Sequence, residues 1–237
     1  MADDVVGNDL VRRLTNPRVE NRYWVKEARR IAADARKNPS FESLSRLGIV
    51  LVHFGKHQQA ARLFMTIEAR YPGHHETAAN LGTSLELMGL DAVALRWIRI
   101  GIKRNVREHE GTEWLHARIL EAKLGLQRDP QHLDSRSVAG VNFMASASPP
   151  LPVSYPSGND GRPVTPYELN RAFHYQLQER LQFVKPKDAV VANLLEDWAT
   201  LNLAGGPIEN ALALYPLARR YGAPETALGL ARRRAAS

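Results

Sequence analysis

The sequence predicts an all-α fold in which helix pairs stack into an α-solenoid, and three observations predict it. The stretch 41–106 is one unit written twice. Gly48 recurs as Gly82, Gly55 as Gly89, Ala60 as Ala94, Leu47 as Leu81 and Leu51 as Leu85, each at an offset of 34 residues. A period of that length, with glycines and apolar residues in fixed places, is that of paired helices that stack on their neighbours. Outside the doublet, apolar residues recur at spacings of three and four, as on helices with one buried stripe. Turn residues such as Gly55-Lys56, Pro72-Gly73, Gly89-Leu90 and Gly205-Gly206-Pro207 punctuate these periodic segments.

Composition allows such a fold and narrows the rest. The 237 residues can bury a good core as one long domain or two short ones. Hydrophobic content of 44% and charged content of 24% are ordinary for a folded chain. No apolar run approaches the ~20 residues that span a bilayer, so no membrane partner is expected. The start, Met1-Ala2-Asp3-Asp4, is acidic and lacks the order of a secretory signal, which leads to the expectation of a cytoplasmic protein. With no cysteine there is neither a disulfide framework nor a thiolate metal site. The net charge of +7 is unevenly spread. It gathers over 12–37 and at Arg219, Arg220 and Arg232-Arg233-Arg234, which suits two solvated terminal helices or an acidic partner.

In chain order, residues 1–40 are basic helices that lead in as an incomplete pair. A short helix over 8–14 precedes Asn16-Pro17. A longer one over 20–37 has Tyr23, Trp24, Ala28, Ile31, Ala32 and Ala35 as its stripe. Asn38-Pro39 ends it, since the residue before proline avoids the α region.

The segment 41–126 holds the repeats. In the first, 41–74, Ser40 or a neighbour caps helix A over 41–54, and helix B runs over 58–71 to Pro72-Gly73. Gly48 lets the two helices approach closely, and Gly55 can take positive φ at a helix end. Ala60 is small at the crossing, while Leu44, Leu47, Leu51, Leu63 and Phe64 fill the space between. In the second, 75–108, helix A covers 75–88 and helix B 92–104, with Ala78, Leu81, Leu85, Ala94, Trp97 and Ile98 as core. The half repeat 109–126 keeps Leu115 and Ile119 on schedule in a helix over 111–126. It puts His116 where glycine stood, and Arg128-Asp129-Pro130 breaks the pattern.

The linker 127–164 contains Pro149-Pro150, Pro152, Pro156, Pro163 and the run 157–161, a composition that disfavours helix and sheet interiors. Residues 138–144 can form a short extended segment. Val141, Phe143, Met144, Leu151, Val153 and Tyr155 argue that the linker packs on something. The segment 165–237 is helical again. Thr165 and Glu168 form a capping box around Pro166, opening a helix over 166–183. Asp188 caps a helix to about 203, Gly222 closes one over 208–221, and 226–234 makes a last short one. The pair 188–225 aligns as a degenerate repeat, with Ala199 at the place of Gly48, Gly206 of Gly55, Ala211 of Ala60 and Tyr215 of Phe64.

Leu44, Leu47-Gly48, Leu51, Gly55, Ala60, Phe64 and Pro72, with Ala78, Leu81-Gly82, Leu85, Gly89, Ala94 and Ile98, resemble the tetratricopeptide repeat. The likeness is strong over 41–106, partial over 109–126, weak over 188–225 and absent between. The stretches 111–115 and 175–186 also resemble bacterial members of that family. The resemblance implies a right-handed solenoid, interrupted here by the Pro/Gly-rich linker, whose concave groove is lined by A helices and takes a partner protein. Carried over, the groove residues are Arg46, Ile49 and His53 from the first repeat, Asn80 and Thr83 from the second, and Trp114 from the third. Trp114 reads either as core or as an aromatic anchor of the kind enriched at hot spots. A subfamily that grips the C-terminal carboxylate of chaperones has Lys and Asn where Ser45 and Ile49 stand, so that ligand is not implied.

Nothing in the sequence points to chemistry. His53 and His57 flank a turn, and His74-His75 lies at a repeat junction. No nucleophile elbow, phosphate-cradling loop or dinucleotide fingerprint occurs, so no catalytic, cofactor or metal residue is expected. The expected function is a non-enzymatic scaffold that binds a peptide or helix of another protein, with 141–156 as a candidate internal occupant of the groove. The alternative is nucleic acid bound by the basic terminal helices, with affinity that falls steeply in salt.

Overall fold

The structure, a computed structural model, describes residues 5–16 and 18–237, with side chains from residue 23 onward in the second helix. The expectations that fall on Met1–Asp4, on Pro17 and on the side chains of Arg18 and Arg22 lie outside the described residues. The fold is all-α. Its helices are α1 Asn8–Thr15, α2 Arg18–Lys37, α3 Phe41–His53, α4 His57–Arg70, α5 His75–Glu86 and α6 Asp91–Arg104, then α7 Glu108–Gly111, α8 Glu113–Arg128, α9 Pro166–Arg180, α10 Ala189–Gly205, α11 Ile208–Tyr221 and α12 Ala227–Ala236. Among the described residues there is no strand beyond an isolated bridge between Ser157 and Pro163. Among them, too, no helix is long and apolar enough to cross a membrane. The chain gathers into two compact units, Pro17–Leu124 and Met1–Asn16 with Gly125–Ser237.

In the first unit α2, α3, α4, α5 and α6 each pack on the next, and α3 also meets α5. The local geometry repeats with the sequence. Gly55, at φ 69, donates its N–H to Val52 O at 2.9 Å while Lys56 donates to Leu51 O at 2.8 Å. One period later Gly89, at φ 77, donates to Glu86 O at 2.8 Å and Leu90 to Leu85 O at 3.0 Å. This pair of bonds around a left-handed glycine is the Schellman ending, which satisfies carbonyls the helix leaves open. Lys56 at φ −88, ψ 48 and Leu90 at φ −90, ψ 51 then start the following helices in the same way.

The close approach expected at Gly48 and Gly82 is present. A Cβ built on Gly48 would overlap the Phe64 ring, and one on Gly82 would lie 2.5 Å from Ile98 Cδ1. Phe64, Ile98, Ala60 and Ala94 are fully buried. The core of the first repeat differs from expectation in detail. Leu44, Leu47, Leu51 and Leu63 are half-buried, and Val50, Val52 and Ile67 are enclosed instead. α3 packs mainly on α2 and α4 and only lightly on α5, whereas α5 packs closely on both α4 and α6 and encloses Leu81 and Leu85. Ser40 caps α3, in a box shared with Ser43. The third helix A begins at Glu113 and not at 111, because His109 (φ 46), Glu110 (φ 58) and Gly111 (φ 79) turn the chain left-handed first.

In the second unit α10 and α11 form the main helix pair, with α9 and α12 packed against it. The short α1 packs on α11 and α9, where Asn210 accepts the Gly7 N–H at 2.8 Å. Thr165 and Glu168 form the capping box, and Asp188 accepts the Val191 N–H at 2.8 Å. Gly222 closes α11 at φ 108. The degenerate repeat is apolar at the aligned places: Ala199, Ala211 and Tyr215 are buried, and the Tyr215 hydroxyl lies 3.2 Å from Thr200 Oγ1. Its turn is not that of the doublet. Gly206 takes φ −118, an ordinary extended value, because Pro207 starts the next helix without a left-handed step.

The linker packs only in part. Val138, Ala139 and Val141 are buried and Leu151 touches Gly205, but Met144 and Val153 face solvent. Residues 138–144 pair with no strand. They are held by side chains of α10 and α12, with Arg232 donating to the carbonyl oxygens of Met144 and Ser146.

Candidate partner-binding surface

The predicted groove residues fall on three helices. Arg46, Ile49 and His53 lie on α3, Asn80 and Thr83 on α5, and Trp114 on α8. The five on α3 and α5 come from helices in contact, and all five are half-buried, as side chains on an open helix face are. Asn80 is partly committed: its amide donates to Glu76 O at 2.8 Å, along its own helix. His53 stacks on Trp24 of α2, with ring centroids 5.0 Å apart and planes at 21°. Burial pushes the His53 imidazole down to about 4, so it is neutral at physiological pH and offers an apolar face.

Trp114 departs from the other five. It is 5% exposed and packs as core. An anchor has to stand open to its partner, and this indole does not. The first of the two readings of Trp114 is therefore the one its burial fits.

A feature that no sequence motif marks lies where α5, α6, α7 and α8 meet. It is a chain in which acidic side chains alternate with Lys123 and histidines. Asp91 Oδ1 meets Lys123 Nζ at 2.6 Å, and Lys123 meets Glu86 Oε1 at 3.2 Å. Glu86 Oε2 lies 2.7 Å from His116 Nε2, and His116 Nδ1 lies 3.5 Å from Glu113 Oε2. Glu113 Oε1 is 2.6 Å from His109 Nδ1, His109 Nε2 is 3.5 Å from Glu108, and Glu108 bonds His75. The middle is dry, with Glu86, Glu113 and His116 each at 6% exposure or less.

The left-handed turn at His109 and Glu110 is what brings His109 back onto Glu113. Burial alone would strip the charge from these groups, and the alternation restores it. Burial lowers the His116 pKa, but Glu113 and Glu86 outweigh it and push it up to about 9. Burial raises that of Glu113, but His116 and His109 hold it down to about 2. His109 is likewise raised by Glu113 and Glu108 against burial. The pair His116–Glu113 is ionised at neutral pH, and it ties α8 to α5 through Glu86. Among the described residues no three His, Asp or Glu side chains converge in a way that would hold a metal ion. The one trace of this network in the sequence is His116, standing where the repeat has glycine.

A second feature outside the predicted set is a cavity of about 480 Å³ on α6, lined by Arg96, Arg99, Ile100, Ile102 and Lys103. Its lining combines two isoleucines with three basic side chains. Arg99 also pairs with Glu121 at 2.7 Å.

Comparison with protein-family models, with curated proteins and with solved structures finds no match to this chain. The likeness to a repeat family rests on the residues and contacts described above.

Proposed function

We propose that the stretch 41–126 is a right-handed solenoid of tetratricopeptide-like repeats, and that the protein is a non-enzymatic scaffold that holds a peptide or helix of a partner protein across its A helices. The observation that carries this reading is a contact repeated by translation. Gly48 receives Phe64 as Gly82 receives Ile98, with both members advanced by 34 residues. The two Schellman turns repeat at the same step. A chain built by translating one helix pair presents its A helices side by side, which makes an extended surface for an elongated partner.

Arg46, Ile49 and His53 with Asn80 and Thr83 form the contact surface in this proposal, and Trp114 supports it from within. Arg46 supplies the charge for a partner's carboxylate, Ile49 and the neutral His53 supply apolar area, and Asn80 and Thr83 supply adaptable hydrogen bonds. A cytoplasmic location belongs to the same proposal.

The alternative, nucleic acid on the basic ends, draws less support. Arg219 and Arg233 pair with Glu225, at 3.1 and 2.6 Å, and Arg232 is engaged by backbone carbonyls. The test is affinity purification from the native host with mass spectrometry, comparing the wild type with an Arg46→Ala, Asn80→Ala double variant. The proposal expects the main co-purifying protein to disappear with the double variant. Equal recovery would move the site off the A helices. Recovery that depends on nucleic acid and collapses in nuclease would favour the alternative.

A further inference from the structure

The outward face of α6 is basic and apolar at once. From Ala92 to Arg107 the chain carries Arg96, Arg99, Lys103, Arg104 and Arg107 and no Asp or Glu. Arg96, Arg99 and Lys103 are exposed, Ile100 and Ile102 are half-buried, and these five line the cavity of about 480 Å³. Arg96 and Arg99 stand three positions apart and Arg99 and Lys103 four, the spacings at which like charges on a helix repel. Arg99 has Glu121 at 2.7 Å, an exposed pair of the kind that contributes little. Arg96 and Lys103 have no hydrogen bond or ion pair among the described residues. The fold leaves this row of cations without a balancing carboxylate of its own.

The repeat supplies an internal comparison. One period earlier the same five positions of α4 hold Arg62, Met65, Thr66, Glu68 and Ala69. That set has one cation where α6 has three, and its carboxylate is held by Arg104 at 2.6 Å. Helix pairing is met at α4 without the extra cations, so the pairing does not call for them. Nor does the helix dipole account for the row. Lys103 lies in the last turn, where a cation is favoured, but Arg96 and Arg99 lie nearer the middle of the helix, where that effect has faded.

We propose that this face of α6 docks an acidic amphipathic helix of a partner protein, with carboxylates on Arg96, Arg99 and Lys103 and apolar side chains against Ile100 and Ile102. At about 1.5 Å rise per residue the three cations span about 10 Å of the helix axis. The matching helix therefore carries Asp or Glu at i, at i+3 or i+4 and at i+7, with Leu or Ile between them. Other anionic surfaces fit less well. A bilayer takes apolar groups that protrude into it, whereas a cavity receives a ridge of side chains. Single-stranded nucleic acid binds on aromatic rings, and none lines this cavity. The face belongs to a B helix, so it is separate from the A-helix surface, and neither site depends on the other.

The probe is a synthetic peptide of about 18 residues, long enough to be helical when bound, with Glu and Leu in that pattern. It is titrated into the nitrogen-15-labelled full chain, and amide chemical shifts are read. Shift changes are expected to centre on residues 96–103. A second peptide with Ser in place of each Leu should bind at least about tenfold more weakly, since it has no apolar side chains to bury. Arg96→Glu with Lys103→Glu should weaken the first peptide at least about tenfold, whereas Arg46→Ala with Asn80→Ala should leave it unchanged. Absence of shifts at 96–103 with millimolar peptide would overturn the proposal, and that reading needs no variant to fold. So would shifts centred on α3 and α5 or on the basic C-terminus, or equal binding of the Ser peptide, which would report charge alone. Sodium laurate or vesicles of phosphatidylglycerol that shift 96–103 where the peptide does not would replace the helix with a lipid and also overturn it.

Discussion

Gly82→Ala and Gly101→Ala are the same substitution on neighbouring helices of one repeat, and the structure gives them opposite signs. In an open helix position, alanine is favoured over glycine by about 0.8–1 kcal/mol, because glycine has more backbone freedom to lose. At Gly101 that gain should be realised nearly whole. A Cβ there would meet Ala79 N, His75 O and Ala78 Cβ at 3.6, 3.6 and 3.7 Å, all ordinary contacts. At Gly82 the Cβ would lie 2.5 Å from Ile98 Cδ1, 2.8 Å from Cγ1 and 3.3 Å from the Ile98 backbone nitrogen. Ile98 is fully buried, so either its side chain leaves its packed rotamer or α5 and α6 move apart to admit the Cβ. Overpacking of this kind costs about 1–3 kcal/mol. Subtracting the propensity gain leaves Gly82→Ala destabilising by up to about 2 kcal/mol and Gly101→Ala stabilising by about 0.5–1 kcal/mol.

A chain of this size moves its melting temperature by about 2–4 °C per kcal/mol, so Gly82→Ala should melt below Gly101→Ala by up to roughly 10 °C. Thermal unfolding followed by far-ultraviolet circular dichroism reads that directly. Gly48→Ala should side with Gly82→Ala, since the Phe64 ring it would strike is also fully buried. If Gly82→Ala melts at or above Gly101→Ala, the translated contact is not what holds the pairs together, and the repeat reading built on it fails with it.

The alternating charge chain makes a second prediction. His116, raised to about 9 from 6.5, contributes stability that is fully present below about 6.5 and is lost as pH rises through 9. Glu113, lowered to about 2 from 4.5, contributes stability that is present above 4.5 and is lost as pH falls through 2. His116→Ala removes the cation between Glu86 and Glu113, leaving them on Lys123 and His109, and should cost about 1–3 kcal/mol at pH 6. The loss should shrink by pH 10 in urea titrations, and a loss that stays constant with pH would mean that His116 is not charged. Trp114→Ala should cost about 3–5 kcal/mol of stability, as truncation of a buried aromatic does. A variant that melts like the wild type but no longer binds its partner would instead restore the open-anchor reading of Trp114.

What could be seen in the sequence was what recurs or what acts locally. Gly48 and Gly82 announce a close crossing because a missing side chain, seen twice at one spacing ahead of Phe64 and Ile98, is what two helices in close contact require. Thr165 and Glu168 announce a helix start because the capping bonds involve neighbours in the chain. The hydrogen bond from Ser137 to Asp197 and the charge chain were not visible for the converse reason. Ser137 and Asp197 are 60 positions apart, and no local pattern links them. Glu86 lies in one repeat and Glu113 and His116 in the next, with no local pattern that joins the three. The fold brings them together through a left-handed turn at His109 and Glu110, in the conformation that non-glycine residues adopt least readily, so no propensity argument could have supplied it.

This divides the molecule by kind of information. Where the period holds, glycine at the crossing lets one helix lie against the next, and the contact is apolar and interchangeable between repeats. Where it fails, the same register carries His116, a side chain too large for a close crossing and able to bear charge. A glycine put back at 116 would remove the imidazolium and leave Glu86, which already bonds Lys123, facing Glu113 with no cation between them. The substitution that makes the third unit more like the other two should therefore weaken it. The glycine crossings join the two helices of one pair, whereas α8, which has no second helix of its own repeat to cross, is tied to α5 by a specific ionic network.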